Sequence, residues 1–125
     1  QGGVQLHEID LIVPHQANLR IVEAVVRRLG VSADKVVLTL EKYANTSTSS
    51  IPIALCEALE EGRVKPGMTI LFTAFGAGLT WAASLLRWGP RVTPLGTTDI
   101  ELPPCEQTGL ELTQAAIARR ARQGA

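Results

Sequence analysis

The 125 residues carry twelve basic and twelve acidic side chains and are 46% hydrophobic. A chain of this size holds one small domain with a core of its own. Its cancelled charge offers no overall field for nucleic acid or an anionic membrane surface, and no apolar run approaches the ~20 residues that cross a bilayer. The opening stretch QGGVQLHEID has no initiator Met and no charged-then-apolar signal layout, and it reads as the interior of a longer chain. Cys56 and Cys105 are the only cysteines and neither belongs to a CxxC pair. A disulfide framework or a zinc site is therefore not expected, no metal is assigned, and the setting reads as reduced and cytoplasmic.

IDLIVP, residues 9–14, is almost continuously apolar, the pattern of a strand buried on both faces. Pro14 cannot extend a hydrogen-bonded ladder and should end it. From Gln16 to Leu29 the period changes to that of a helix. Leu19, Val22, Val26 and Leu29 share one face, with Ile21 and Val25 beside it, while Arg20, Glu23 and Arg27 lie on another. Gly30 is placed to stop this helix. KVVLTL, residues 35–40, is rich in β-branched residues and predicts a second strand. NTSTSS then supplies cap candidates for a helix over IPIALCEALEEG, in which Pro52 is tolerated only in the first turn. Gly62 closes that helix, KPG forms a turn, and MTILFTAF and LTWAASLLRW read as adjacent strands joined by the glycine loop Gly76–Gly78.

The resulting order, β-α-β-α-β-β, predicts an α/β fold with helices packed on a mixed sheet. Residues 89–125 contain GPRVTPLGTT and LPP and few large apolar groups. They read as a flexible extension to a domain over residues 1–88, with a weak terminal helix over Gly109 to Gln123. No internal repeat is visible.

In open α/β sheets ligands collect beyond the carboxyl ends of the strands. His15 and Gln16 follow the first predicted strand, Tyr43, Ala44 and Asn45 the second, and Phe75, Gly76, Ala77 and Gly78 the third. Parallel strands would bring these three ends to one rim. Spacing alone leaves plainer readings open. His15 also suits a surface or capping position, Asn45 a helix cap, and the glycine loop an ordinary hairpin turn. Asn45-Thr46-Ser47 matches a glycosylation sequon, but nothing suggests secretion. Cys56 lies among core-type residues and reads as a buried structural thiol, and His7 as a surface residue.

Three blocks, VPHQANLRI, NTSTSSIPIAL and LFTAFGAGLTWAASLLRW, occur in this order between Ile9 and Trp88. Together they resemble the carboxyl-terminal part of the β-ketoacyl-acyl-carrier-protein synthase III family of thiolase-like condensing enzymes. The resemblance implies a decarboxylative Claisen condensation of acyl-CoA with malonyl-acyl-carrier protein, the reaction that starts fatty acid synthesis, with no cofactor beyond these substrates. It gives His15 and Asn45 two places of a Cys-His-Asn triad and sets Phe75 beside the reactive centre. Within the loop Phe75, Gly76, Ala77 and Gly78, it gives the Ala77 backbone N–H a part in holding the acyl thioester oxygen, at a position where the family usually carries Gly.

By the same resemblance, Ala17, Asn18 and Ile21 line a pantetheine tunnel. Gln16, Ala17, Asn18, Leu19 and Arg20 contribute to docking of the carrier protein, with Arg27 and Arg28 extending the cationic side of the helix. A solvated face with a Glu23–Arg27 pair is the plainer reading of those charges. The residue types suit the chemistry. Two N–H donors aimed at an enolate oxygen are worth about 3–4 kcal/mol each, and neither a neutral imidazole nor an amide brings competing charge.

The family's nucleophilic cysteine belongs to an amino-terminal half that these residues do not include, and neither Cys56 nor Cys105 fits its pattern. The resemblance also implies a homodimer in the intact enzyme, and an exposed face where the missing half would pack. Three readings stand: part of a condensing enzyme that is inactive alone, one chain of a split enzyme, or a non-catalytic carrier-binding module.

Overall fold

The computed structural model describes residues 3–96, 98–100, 104 and 106–123. The chain forms two compact units, Gln1–Leu95 and Gly96–Ala125. The first contains strand β1 (Leu11–Pro14), helix α1 (Leu19–Leu29), a single helical turn α2 (Leu40–Tyr43), helix α3 (Ser50–Glu60) and strands β2 (Thr69–Gly76) and β3 (Thr80–Arg87). β1 pairs in parallel with β2, with Leu11 opposite Ile70 and Pro14 opposite Thr73. β2 pairs antiparallel with β3, with Phe75 opposite Trp81. The sheet is therefore mixed, in the order β1-β2-β3.

All four β1 residues are buried, as the continuous apolar run requires. Successive side chains leave opposite faces of a strand. Leu11 and Val13 accordingly join Val37, Ala54, Ala58, Val64 and Ile70 in one core layer, while Ile12 joins Ile9, Val22 and Val36 in another. Ser50, Ala54 and Ala58 recur at helical spacing and are each at most 1% exposed. This stripe of small side chains is the buried edge of α3.

The predicted second strand, Lys35 to Leu40, does not form. Val36 makes one isolated parallel bridge with Ile12, and the Val37 N–H donates to the Ile12 carbonyl at 2.9 Å. The next rung of such a ladder would run from the N–H of residue 14 to the Val37 carbonyl, and Pro14 has no N–H. The carboxamide of Gln16 enters instead. Its Nε2 donates to the carbonyls of Pro14 (2.9 Å) and Val37 (3.0 Å), and its Oε1 accepts the Thr39 N–H at 2.9 Å. One side chain thus satisfies three backbone groups that a strand pair would have matched directly. Tyr43 consequently ends the turn α2, and Ala44 and Asn45 follow that turn rather than a strand.

Helix α1 begins at Leu19, three residues later than the apolar period suggests. Asn18 is its N-cap and accepts the Arg20 N–H at 2.9 Å. Gly30 ends it in the left-handed conformation, φ 65°. Val22 is buried, but Leu19, Ile21, Val25 and Leu29 are exposed, so most of the apolar face is uncovered within this chain. The NTSTSS caps are not used as expected: Ser49 precedes α3 without a side-chain capping bond. Pro52 stands in the first turn, where its missing N–H has no intrahelical role. Cys56 is exposed rather than buried, because it lies across the helix from Ala54 and Ala58. Cys105 lies outside the described residues.

The second unit contains helix α4 (Gly109–Gln123). Thr108 and Glu111 box its start: Glu111 Oε2 accepts the Thr108 N–H at 2.7 Å, and Thr108 Oγ1 accepts the Glu111 N–H at 3.3 Å. The bond from the Thr108 backbone holds the Glu111 carboxyl below its ordinary value. Among the described residues no helix is long and apolar enough to cross a membrane.

Candidate active site

β1 and β2 run in parallel, so Pro14 and Gly76 bring their carboxyl ends to the same rim. A cavity of about 430 Å³ opens there. Its walls are His15, the chain entering α3 (Ser47, Thr48, Ser50), the end of β2 (Ala74–Gly76) and the start of β3 (Thr80–Ala82). An edge-on ring contact and hydrogen bonds fix His15 at this mouth. Its backbone N–H donates to the Thr73 carbonyl at 2.7 Å, its Nδ1 lies 2.5 Å from Ser50 Oγ, and its ring meets that of Phe75 edge-on at 6.2 Å.

The structure places Asn45 beside this mouth but not in the cavity wall. Its Oδ1 accepts the Ser47 N–H at 2.9 Å, and its Nδ2 donates to the Ala17 carbonyl across a long 3.4 Å. The carboxamide is thereby oriented with its amino group toward the segment that carries His15, and one of its two N–H bonds has no partner among the described residues. Asn45 is delivered by a strained residue. Ala44 has φ 54° and ψ −155°, a backbone region that glycine occupies freely and alanine does not. Thr46 Oγ1, on the other side of Asn45, is buried with no hydrogen-bond partner among the described residues.

The turn leading to Asn45 is tied to α3. Lys42 Nζ contacts both carboxylate oxygens of Glu57 at 2.8 and 2.6 Å, and the Tyr43 hydroxyl donates to the same carboxylate. The bond from Lys42 holds the Glu57 carboxyl below its ordinary value, and Glu57 in turn holds the Lys42 ammonium above its own.

Of the glycine loop, Phe75 and Gly76 line the cavity, whereas Ala77 and Gly78 form the exposed turn into β3, with Gly78 at φ 75°. Ala17 is half-buried under Asn45, Asn18 caps α1, and Ile21 is exposed on α1. Arg20, Arg27 and Arg28 are exposed, and Glu23 pairs with Arg27 at 3.9 Å. Gln16 is different. It is 0% exposed with its carboxamide fully engaged, so its side chain offers nothing to a docking partner; its part is to hold the segment on either side of it. In sequence Ser50 resembles one more cap in a serine-rich run. The signal that could have found it is the i, i+4, i+8 spacing Ser50-Ala54-Ala58.

Residues 1–88 match the family described as 3-oxoacyl-[acyl-carrier-protein (ACP)] synthase III C terminal. β-Ketoacyl-[acyl-carrier-protein] synthase III 2 of Vibrio cholerae is 49% identical over 117 residues, covering 94% of this chain and 32% of that protein. The synthase III of Symbiobacterium thermophilum is 54% identical over 89 residues, covering 71% of this chain and 27% of its own. Among solved structures, the synthase III of Thermus thermophilus superposes with a TM-score of 0.68 at 50% identity, covering 71% of this chain and 28% of that one. The Vibrio match runs well past Trp88, so the likeness does not stop at LLRW as the sequence blocks suggested. The chain spans about a third or less of the length of these relatives. With residues 1–88 matching the family and the fold superposing on a solved synthase III, the chain belongs to the ketoacyl-acyl-carrier-protein synthase III family, as a carboxyl-terminal part of its thiolase-like fold.

Proposed function

We propose that this chain forms the His- and Asn-bearing side of a condensing active site that joins an acyl group from acyl-CoA to malonyl-acyl-carrier protein, the opening step of fatty acid synthesis. The observation that carries this reading is the placement of His15 in the wall of a cavity at the carboxyl end of β1, with Asn45 hydrogen-bonded to the Ala17 carbonyl two residues on.

In this reading the malonyl thioester loses CO2 as its C–C bond breaks. The electron pair moves onto the thioester oxygen as an enolate, which His15 and Asn45 stabilise with one N–H each. The enolate carbon then attacks an acyl thioester held on a cysteine outside these residues. The new C–C bond forms, the C–S bond breaks and the thiolate leaves. Two such donors, at about 3–4 kcal/mol each, lower the barrier without themselves gaining or losing a proton. No cofactor takes part.

The carrier protein is proposed to approach over α1, where Arg20, Arg27 and Arg28 face solvent and would meet an acidic partner. The exposed apolar side of α1 belongs to the remainder of the enzyme, which is proposed to work as a cytoplasmic homodimer. The test combines the chain with a cysteine-bearing amino-terminal half of a relative and follows CO2 release from malonyl-carrier protein. Release that requires both parts supports the proposal; no release from the reconstituted pair argues for a module that only binds the carrier. Arg20→Glu should weaken carrier binding in a titration, and unchanged affinity would remove α1 from the docking surface.

A further inference from the structure

Ser50 is 1% exposed, and its hydroxyl touches Nδ1, one of the two ring nitrogens of His15. We infer that Ser50 is a positioning residue that fixes the tautomer of His15: its O–H donates to Nδ1, so the ring proton resides on Nε2. This deepens the proposed role of His15 and rests on that reading for its catalytic meaning, though not for its geometry.

The assignment follows from counting protons. Ser50 Oγ already accepts the Gln16 backbone N–H at 3.3 Å. Its own O–H needs an acceptor, and among the described residues the one hydrogen-bonded to it is His15 Nδ1. If Nδ1 carried the proton, Oγ would accept two bonds and the O–H of this 1% exposed residue would be left without a protein acceptor, which buried polar groups avoid. With the proton on Nε2 every donor has a partner except Nε2–H itself, and Nε2 has no protein partner among the described residues. The ring therefore presents one N–H donor at the cavity. The small side chains of Ala54 and Ala58 let α3 approach the sheet closely enough for Ser50 to lie beneath the imidazole. Gln16, pinned through its carboxamide, holds the N–H that occupies the acceptor side of the hydroxyl.

The chain has only two histidines, His7 and His15, so the test is direct. With 15N-labelled histidine at about pH 8.5, two units above the ordinary imidazole value, one- and two-bond ring correlations report the tautomer of each ring. His7 is exposed and serves as the solvated reference. His15 is expected to be shifted further toward the Nε2–H form than His7, at least tenfold in its favour. Ser50→Ala should return it to the distribution of His7 and, in the reconstituted enzyme, lower kcat for decarboxylation while leaving KM for malonyl-carrier protein nearly unchanged. An Nδ1–H form in the unaltered protein, or the same distribution as His7, would overturn the inference, and that measurement stands even if Ser50→Ala does not fold. A folded Ser50→Ala protein with its tautomer bias intact would overturn it as well. Failure of the catalytic reading alone would leave the ring spectra as expected while removing only the kcat effect.

Discussion

Gln16 Nε2 donates to the Val37 carbonyl at 3.0 Å, in the place where a parallel ladder would require an N–H from Pro14. A side-chain amide has replaced a rung of sheet. Pro14 ends β1, and the residue two places on repairs the gap, leaving His15 between them free of the ladder on that side.

Gln16→Ala should therefore destabilise the protein by about 2–4 kcal/mol, since it strips the Val37 carbonyl and the Thr39 N–H of their partners inside the fold. Urea unfolding at constant m-value measures it. Gln16→Glu should cost a comparable amount, because a carboxylate cannot donate to the two carbonyls. A loss under about 0.5 kcal/mol, the size of an ordinary surface substitution, would show that the carboxamide is not holding this junction.

Ala44 adopts φ 54° and ψ −155° immediately before Asn45. Strain of this kind costs roughly 1–3 kcal/mol, and glycine would relieve it at an entropic cost of about 0.4–1 kcal/mol in the unfolded chain. Ala44→Gly is thus expected to raise stability by about 1 kcal/mol. Ala44→Val should lower it, since a β-branched side chain fits that region less well than alanine. The same denaturant series checks both, and destabilisation by Ala44→Gly would contradict the strained geometry.

The Lys42–Glu57 pair makes the turn before Asn45 sensitive to acid. Glu57 sits below its ordinary value of 4.5 in the fold, chiefly through its bond from Lys42. A group depressed in this way contributes stability above its unfolded value and loses it as the pH falls through the folded one. The stability gap between the unaltered protein and Glu57→Gln should be present near pH 7, narrow below 4.5 and vanish under the depressed value of Glu57. Parallel denaturation curves across that range test it, and a gap independent of pH would mean that the carboxylate charge does not anchor the turn.

How much of this could be read beforehand follows from where each feature is encoded. The continuous apolar run of β1, the stop at Gly30 and the β2–β3 hairpin depend on local pattern, and all three form as the pattern dictates. His15 at the rim follows from Pro14 ending the strand. The false strand at Lys35–Leu40 has the right composition, but its pairing depends on an N–H that another segment lacks, and no local pattern contains that fact. The expected burial of Cys56 fails for a related reason: an apolar neighbourhood in sequence says nothing of which side of a helix meets the sheet. Ser50 is not marked by any local pattern, and Gln16 reads there as a rim and docking residue, because their structural roles lie in contacts 35 and 21 positions away.

The most direct test of the central claim is the rate of malonyl-carrier-protein decarboxylation by the chain reconstituted with a cysteine-bearing half, measured for His15→Ala and Asn45→Ala. Each substitution is expected to lower the rate by about 100-fold or more, the usual effect of removing one donor from an oxyanion site, with the far-UV spectrum unchanged. Rates equal to that of the unaltered pair would contradict the assignment of both residues.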